Sequence, residues 1–487
     1  MLTDVIKRHH QQRGVKVTFL TGTDEHGEKI EQSAQKNKKT PQQFVDEVAS
    51  EFKKAWNDLN IKYDIFYRTT DPEHKKKVQY ALQTLKDKGD IVFREYEGNY
   101  CLGCERFLTD TELTPEGKCP DHKTKPEPRK ESNYFFLMGR YQKNLIEHIE
   151  KNPHWIRPEN YRNEVISFLK QPLEDLCISR PKSRLKWGIE LPFDNNYVTY
   201  VWFDALLNYL NAAGWPEKFN KDLWVSCHHL LAKDILKTHA TYWPPMLFAL
   251  GVPMFAELDV HGYWLVDGDK MSKSLGNVIR PLEVEEKYGR ESLRFYLLKE
   301  MSFGLDSTFK LEAFVHSINA HLANGIGNLA SRVLTLCAKN FKGKWDAKKL
   351  ELTDKNLLDT RKTLLESWDK GFNEIKFQNA LKAWADFITQ VDLYVNETKP
   401  WALAKDPTQT ERLQIVLGTC LQALITAATV IYPVLPEASV KLLTALGIKQ
   451  DPAKDIALAL HTQDSFTLST EVPKLFMRVQ LPTQEEK

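Results

Sequence analysis

The chain has 487 residues, enough for about three domains of ordinary size. Its 42% hydrophobic and 27% charged content excludes a disordered or fibrous chain, and a net charge of +2 means that any nucleic acid must be met by a local patch. Seven scattered cysteines argue against a disulfide framework and for a reducing compartment, with the cytosol as default, while the first ten residues do not read as a signal peptide and no run approaches membrane-spanning length.

Leu2 to Arg13 reads as helix ended by Gly14, and Val15, Val17 and Phe19 alternate as a strand. That strand runs into Thr-Gly-Thr-Asp24-Glu-His-Gly27, and a polar, glycine-bearing loop at a strand end suits a ligand rim in an α/β sheet. Thr40-Pro41 with Gln43 makes a capping box, followed by Phe44, Val48 and Phe52 on one helical face. Ile61 to Tyr67 reads as strand, and Asp71-Pro72 opens a helix that closes at Gly89. Strand alternating with helix predicts a doubly wound, mostly parallel sheet.

The alternation breaks after Ile91–Tyr100, a further strand. Cys101-x2-Cys104, a spacer of 14 residues and Cys119-x2-His122 follow. Two close pairs of soft or borderline ligands suit one tetrahedral zinc ion, and with all four positions filled by protein the site would be structural. The strand-like Tyr134–Leu137 and helical stretches around Leu145 and Ile166 complete an inserted module. The sheet resumes near Leu185, with Tyr197–Phe203 as an apolar strand entering a helix at Asp204–Tyr209. Leu223–Ser226 reads as a short strand before Cys227-His228-His229, and Ala232–Trp243 as a helix holding Asp234 and His239.

Tyr263–Val266 is strand-like and closes at Asp267-Gly268, after which Lys270 and Lys273 stand among small residues in Lys-Met-Ser-Lys-Ser. A lysine is a compact cation suited to phosphate as a point charge, and two of them can neutralise charge that moves between phosphates. From about Arg290 the pattern is nearly all helix, with periodic segments at 311–341, 355–372, 380–394 and 413–434. Asn328 and Arg332, four apart, share a helix face, and Pro400-Trp401 sets an aromatic in a first turn. Exposed together, these three residues would make a base-reading set; packed, they would be ordinary bundle residues.

The Lys-Met-Ser-Lys-Ser word resembles the signature loop of class I aminoacyl-tRNA synthetases. The ordered series resembles the methionyl-tRNA synthetases over essentially the whole chain. It runs from Thr-Gly-Thr-Asp24 through the Cys3His knuckle, Ile-Ser-Arg180, Trp187-Gly188-Ile, Val-Trp202-Phe-Asp-Ala205 and Lys233-Asp-Ile-Leu-Lys-Thr-His239. It closes with the lysine loop, Asn-Leu-Ala-Ser-Arg332 and Pro-Trp401. The resemblance implies a Rossmann-like catalytic domain with an inserted zinc-knuckle module, then an all-α bundle. Its boundaries would be 1–97 for the first catalytic half, 98–184 for the insert and 185–260 for the second half. The lysine loop and stem-contact region would be 261–322, and the anticodon-binding domain 323–487.

The implied reaction joins methionine to its tRNA through methionyl-adenylate, with ATP and Mg2+ as co-reactants and Zn2+ as a structural ion. By the same resemblance Asp24 would hold the substrate ammonium in a charge network with Arg180 and Asp234, and Trp202, Ala205, Tyr209, Ile235 and His239 would enclose the thioether. Lys270 and Lys273 would act on the phosphates, with His261, Gly262 and Glu190 also at the nucleotide. Asn328, Arg332 and Trp401 would read the anticodon. The family's His-x-Gly-His turn is absent from this chain, so the alternative is a tRNA-binding protein with impaired adenylation. A ligase for another amino acid is disfavoured by Tyr209, His239 and Trp401. The expected assembly is a cytoplasmic monomer without membrane contact.

Overall fold

The computed structural model describes all residues except 105, 109, 121, 267, 272–277 and 482–487. Its contacts divide the chain into two compact units: 20–56 with 63–261, and 1–19 with 57–62 and 262–487. Residues 1–19, expected with the first catalytic half, therefore group with the helical C-terminal part.

The first unit holds two sets of parallel strands. Leu20–Thr23 pairs in parallel with Ile65–Arg68, the connection passing through helices Glu28–Lys36 and Pro41–Asp58. His228–Ala232, Glu257–His261 and Ile156–Arg157 form a second parallel sheet with Glu257–His261 in the middle. Antiparallel strands build the insert: Ile91–Cys101 lies between Arg106–Leu108 and Glu127–Phe136, and Leu176–Cys177 completes that sheet. One apolar core, including Val78, Leu82, Phe136, Leu145, Phe203, Leu207, Trp224, Trp243, Leu258 and Val260, ties these layers together.

Local chemistry explains most element ends. Thr40 and Gln43 exchange capping bonds, with Thr40 N–H donating to Gln43 Oε1 at 3.1 Å and Gln43 N–H to Thr40 Oγ1 at 3.3 Å. Asp71 accepts from Glu73 N–H at 2.8 Å at the head of Pro72–Asp87. Other expectations are corrected. Residues 15–19 are irregular, the strand beginning only at Leu20. In Pro41–Asp58 the buried face carries Val45 and Ala49, and Phe52 is exposed. Trp202 and Phe203 belong to the helix Val201–Ala212, not to a strand, because Phe203, Leu206, Leu207 and Leu210 recur at helical spacing toward the core. Lys221–Val225 is likewise a helix, capped by Asn220, and the strand comes after it. Ala232–Trp243 is a sequence of shorter pieces: a 3-10 turn Lys233–Ile235, a π-turn Thr238–Tyr242 and an α-helix Trp243–Leu250.

The second unit is helical. Leu352–Asn373, Phe377–Thr398 and Thr410–Ile431 pack with Arg290–Glu300 and Pro436–Ala445. The segment Pro407–Ile431 is long and apolar enough to cross a membrane, which the sequence reading did not anticipate, but 94% of its most apolar window is buried in the protein, marking it as the central core helix. The helix Leu2–Gln12 is fastened here by a buried charge group: Arg294 donates to Asp4 at 2.7 Å, Arg8 to Asp4 at 2.9 Å and Gln12 to the Thr429 carbonyl at 2.7 Å.

Candidate functional site

The loop after the first strand begins with a close backbone approach. A Cβ on Gly22 would lie 2.0 Å from the Tyr67 carbonyl oxygen, so only glycine lets the two parallel strands pair there. Beyond it the side chains part. Glu25 is buried and accepts from Thr23 Oγ1 (2.6 Å), Arg68 Nε (2.7 Å) and the Thr70 hydroxyl. His26 is buried against Asp204. Asp24, between the strand and these anchors, is exposed, and its negative charge is one of the influences that raise the Tyr209 hydroxyl pKa, after burial and Cys227.

Trp202, Ala205 and Tyr209 fall at i, i+3 and i+7 of Val201–Ala212 and share one face. His239 comes to them from the π-turn Thr238–Tyr242, a wide turn of the kind that recurs at functional positions. The Trp202 and His239 rings are 5.9 Å apart at 81°. Tyr209 Oη and His239 Nε2 are 2.9 Å apart, and His239 Nδ1 is 2.9 Å from the Ile235 carbonyl. Only a protonated Nδ1 can bond that carbonyl, so Nε2 accepts from the Tyr209 hydroxyl. Burial lowers the His239 pKa to about 4, so the imidazole is neutral at physiological pH. Behind Tyr209 lies His229, 4.3 Å ring to ring, whose Nε2 accepts from Trp243 Nε1 at 3.2 Å. The resulting wall is aromatic and polarizable, with one hydroxyl–imidazole pair, as an uncharged thioether would require.

The remaining expected residues are placed as follows. Asp234 is exposed in the 3-10 turn, beside the half-buried Ile235. Arg180 is buried between Tyr100 (5.3 Å) and Tyr200 (5.0 Å), donates to the Ser179 carbonyl at 2.7 Å, and borders a cleft with Gly27 and Glu28 of the loop that displays Asp24. Glu190 is exposed and paired with Lys182 at 2.6 Å. His261 closes its parallel strand opposite Ala232, both at carboxyl ends, where ligands of α/β sheets collect. Gly262 is needed for packing: a Cβ there would sit 2.2 Å from the Leu305 carbonyl oxygen. Lys270 pairs through its backbone with Leu265, and its side chain, like all of Lys273, lies outside the described residues.

The cysteine knuckle closes into a tetrahedron. Cys104 Sγ and Cys119 Sγ are 3.5 Å apart, and His122 Nδ1 lies 3.9, 3.4 and 3.6 Å from the sulfurs of Cys101, Cys104 and Cys119. Ligands on one tetrahedral zinc ion would be separated by about 3.8 Å between sulfurs and about 3.6 Å between sulfur and nitrogen. The donor set therefore fits a metal ion, and its soft thiolates suit zinc. Burial opposes the Cys101 thiolate, but the Cys104 and Gly103 amides and the neighbouring thiols outweigh it and lower its pKa. A second grouping, His228 with Glu257 and Asp259, is an ion-pair cluster: Arg157 contacts Glu257 at 2.5 Å and Asp259 at 2.8 Å.

In the helical unit, Asn328 is exposed at the head of Asn328–Asn340 and Arg332 follows one turn later. Arg332 donates to Asp392 at 2.6 Å and Asn396 at 3.1 Å, and its guanidinium lies 5.9 Å from the exposed Trp401 ring. The structure thus brings Arg332 and Trp401 together at the surface. Sequence reasoning did not pick out Asp204, His74 and Asn211, which form a buried polar chain with His26. The available signal was an aspartate inside the apolar run Val201–Leu207.

Comparison with known proteins identifies the family. The family described as "tRNA synthetases class I (M)" matches residues 1–125 and 121–334, and the "Anticodon binding domain of methionyl tRNA ligase" matches 346–486. The chain belongs to the methionyl-tRNA synthetases. It is 41% identical to the methionine–tRNA ligase of Clostridium acetobutylicum over 100% of this chain and 76% of that protein, and 40% identical to that of Streptomyces coelicolor over 95% and 88%. Mycobacterium tuberculosis methionyl-tRNA synthetase in complex with methionyl-adenylate superimposes with a TM-score of 0.93 at 34% identity, covering 98% of this chain and 95% of that one. This synthetase is accordingly a methionine–tRNA ligase with a Rossmann-like catalytic domain followed by a helical anticodon-binding domain.

Proposed function

We propose that the chain activates methionine with ATP, forming methionyl-adenylate and pyrophosphate, and passes the methionyl group to a ribose hydroxyl at the 3′ end of methionine-acceptor tRNA, releasing AMP. The observation that supports this reading is the neutral Tyr209–His239 pair beside Trp202, with the Asp24 charge close enough to act on Tyr209. Asp24 neutralises the substrate ammonium, and Trp202, Ala205, Tyr209, Ile235 and His239 surround the thioether. Arg180 and Asp234 set the charge at the rim. The carboxylate of methionine attacks the α-phosphate, and no covalent enzyme intermediate is needed, so catalysis is positioning and charge stabilisation. Lys270 and Lys273 neutralise the phosphates, together with Mg2+ that accompanies ATP, and His261, Gly262 and Glu190 contribute to nucleotide binding. Cys101, Cys104, Cys119 and His122 would hold one Zn2+ that cross-links the insert. Asn328, Arg332 and Trp401 read the anticodon by hydrogen bonding and stacking. All seven cysteines being unpaired as disulfides supports action in the reducing cytoplasm, and the reading takes the enzyme as a monomer.

The test is methionine-dependent exchange of pyrophosphate into ATP, run beside a tRNA-binding assay. Exchange that requires methionine supports the reading. Binding of tRNA with no exchange refutes adenylation by this chain and leaves the tRNA-binding alternative.

A further inference from the structure

Asp204 has no exposure to solvent, and a carboxylate so placed is costly unless both oxygens are matched. Both are: Oδ2 lies 2.6 Å from His26 Nδ1 and Oδ1 lies 2.6 Å from His74 Nε2. The Asn211 amide nitrogen is 3.1 Å from His74 Nδ1; that amide can only donate, so His74 carries its proton on Nε2, toward Asp204. His26 likewise presents Nδ1–H to the carboxylate. The two bonds to Asp204 are therefore directional, with each imidazole N–H assigned to one carboxylate oxygen.

Its position is as informative as its chemistry. Asp204 lies between Trp202 and Ala205 on the helix that builds the thioether wall, while His26 lies two residues past Asp24 in the loop that meets the ammonium. Further fastenings of that loop lead to other elements, among them Glu25 to Arg68, the Glu25 carbonyl to Trp187 Nε1 at 2.6 Å, and Gly27 N–H to the Trp187 carbonyl at 3.2 Å. The His26–Asp204 bond runs directly from loop to pocket helix, and His74 braces it from Pro72–Asp87.

We propose that Asp204, clamped by His26 and His74, is a positioning joint that fixes the distance between the Asp24 carboxylate and the thioether walls at Trp202, Ala205 and Tyr209. The inference rests on the methionine-pocket reading above. Methionine is held at both ends, so a loop displaced from the helix loses the ammonium contact, the thioether contact, or both. Nucleotide affinity does not depend on this distance.

The test uses the full chain and equilibrium dialysis against radiolabelled methionine, with a non-hydrolysable ATP analogue dialysed separately and the thermal midpoint recorded. His26→Asn places an amide N–H where Nδ1–H stands, whereas His26→Gln carries the same amide one methylene further, where Nε2 stands. The expected result is methionine affinity within about threefold of wild type for His26→Asn and weaker by on the order of tenfold to a hundredfold for His26→Gln, with analogue affinity within about twofold for both. Asp204→Asn turns an N–H toward an imidazole N–H and is expected to weaken methionine as His26→Gln does; if it does not fold, the His26 pair decides. Equal methionine affinity for the Asn and Gln variants, or equal losses of methionine and ATP analogue, overturns the joint and leaves a purely structural network. A wild-type chain that does not bind methionine overturns the pocket reading itself.

Discussion

Replacing Gly103 by alanine should separate the candidate metal site from the fold that carries it. A Cβ at Gly103 would stand 2.4 Å from His122 Cγ and Cδ2 and 2.7 Å from Nδ1. Carbon atoms settle at about 3.5 Å or more, so the imidazole must retreat by about 1 Å, while a metal–ligand bond tolerates only about 0.2 Å. The ring is the exposed end of a side chain and yields easily, so the backbone keeps its shape and the nitrogen leaves the tetrahedron. Structural zinc is held by apparent energies of about 10–16 kcal/mol over four ligands, so losing one costs about 3 kcal/mol, roughly a hundredfold in Kd. The assay is titration of the metal-free protein with Zn2+ against a chromophoric chelator, with the metal-to-protein ratio measured independently and His122→Ala as the reference for a lost ligand. The reasoning is refuted if Gly103→Ala binds one zinc ion as tightly as the wild type. It is equally refuted if the metal-free variant melts well below metal-free wild type, because the steric cost would then lie in the fold.

Tyr209→Phe removes the O–H that meets His239 Nε2 and leaves a buried acceptor unmatched, so methionine KM should rise roughly tenfold, about 1–2 kcal/mol, with the KM for ATP unchanged; an unaltered methionine KM would contradict the assigned tautomer. Trp401→Ala should weaken tRNA binding by about 1–3 kcal/mol, the range for one stacked base, read by filter binding with a changed-anticodon tRNA as reference, while leaving methionine-dependent pyrophosphate exchange intact, read by the exchange assay. The Glu291 carboxyl, accepting from the Glu437 and Ala438 amides, is raised by burial to about 7. A raised folded-state pKa means a proton held more tightly in the folded state, so this group's stabilisation is complete below pH 4.5 and is lost as pH rises through 7. Urea unfolding at pH 5 and pH 8 should show that loss, on the order of 3 kcal/mol, in the wild type relative to Glu291→Gln; identical pH slopes for the two would refute it.

What the sequence made legible was local chemistry. The knuckle could be read because metal ligands must arrive in close pairs, and Cys101/Cys104 and Cys119/His122 do. The caps at Thr40 and Asp71 could be read because their partners lie three and two residues away, respectively. Secondary structure failed where apolar runs carry no clear period: Tyr197–Phe203 satisfies a strand and a buried helix equally, and only the core on one side of Val201–Ala212 decides it. Asp204 was illegible for a different reason. Its partners stand 178 and 130 residues away, so no spacing announces them, and an aspartate within Val-Trp-Phe-Asp-Ala has meaning only once the fold has brought the two imidazoles to it.

The pocket's electrostatics also bear on which substrates it should refuse. Methionine offers no charge and only a weakly accepting sulfur at the end of its side chain, so a site cannot select it with strong donors without admitting polar rivals. Here the His239 imidazole is neutral, its Nδ1–H is committed to the Ile235 carbonyl, and its Nε2 is committed to the Tyr209 hydroxyl. A glutamine-like side chain of similar length would surrender its water without finding matched partners, at a cost of about 1–3 kcal/mol for each polar group left unpaired. A side chain with methylene in place of sulfur meets no such penalty and loses only the sulfur–aromatic contacts with Trp202 and Tyr209, about 0.3–1.5 kcal/mol each. If this pocket takes methionine as proposed, discrimination should be steep against polar isosteres and shallow against apolar ones, and Asp24 would supply affinity common to every amino acid. On the proposed reading, the selective power of the site would reside in keeping His239 neutral and its two nitrogens occupied, through burial and the wide π-turn that sets the ring between Ile235 and Tyr209.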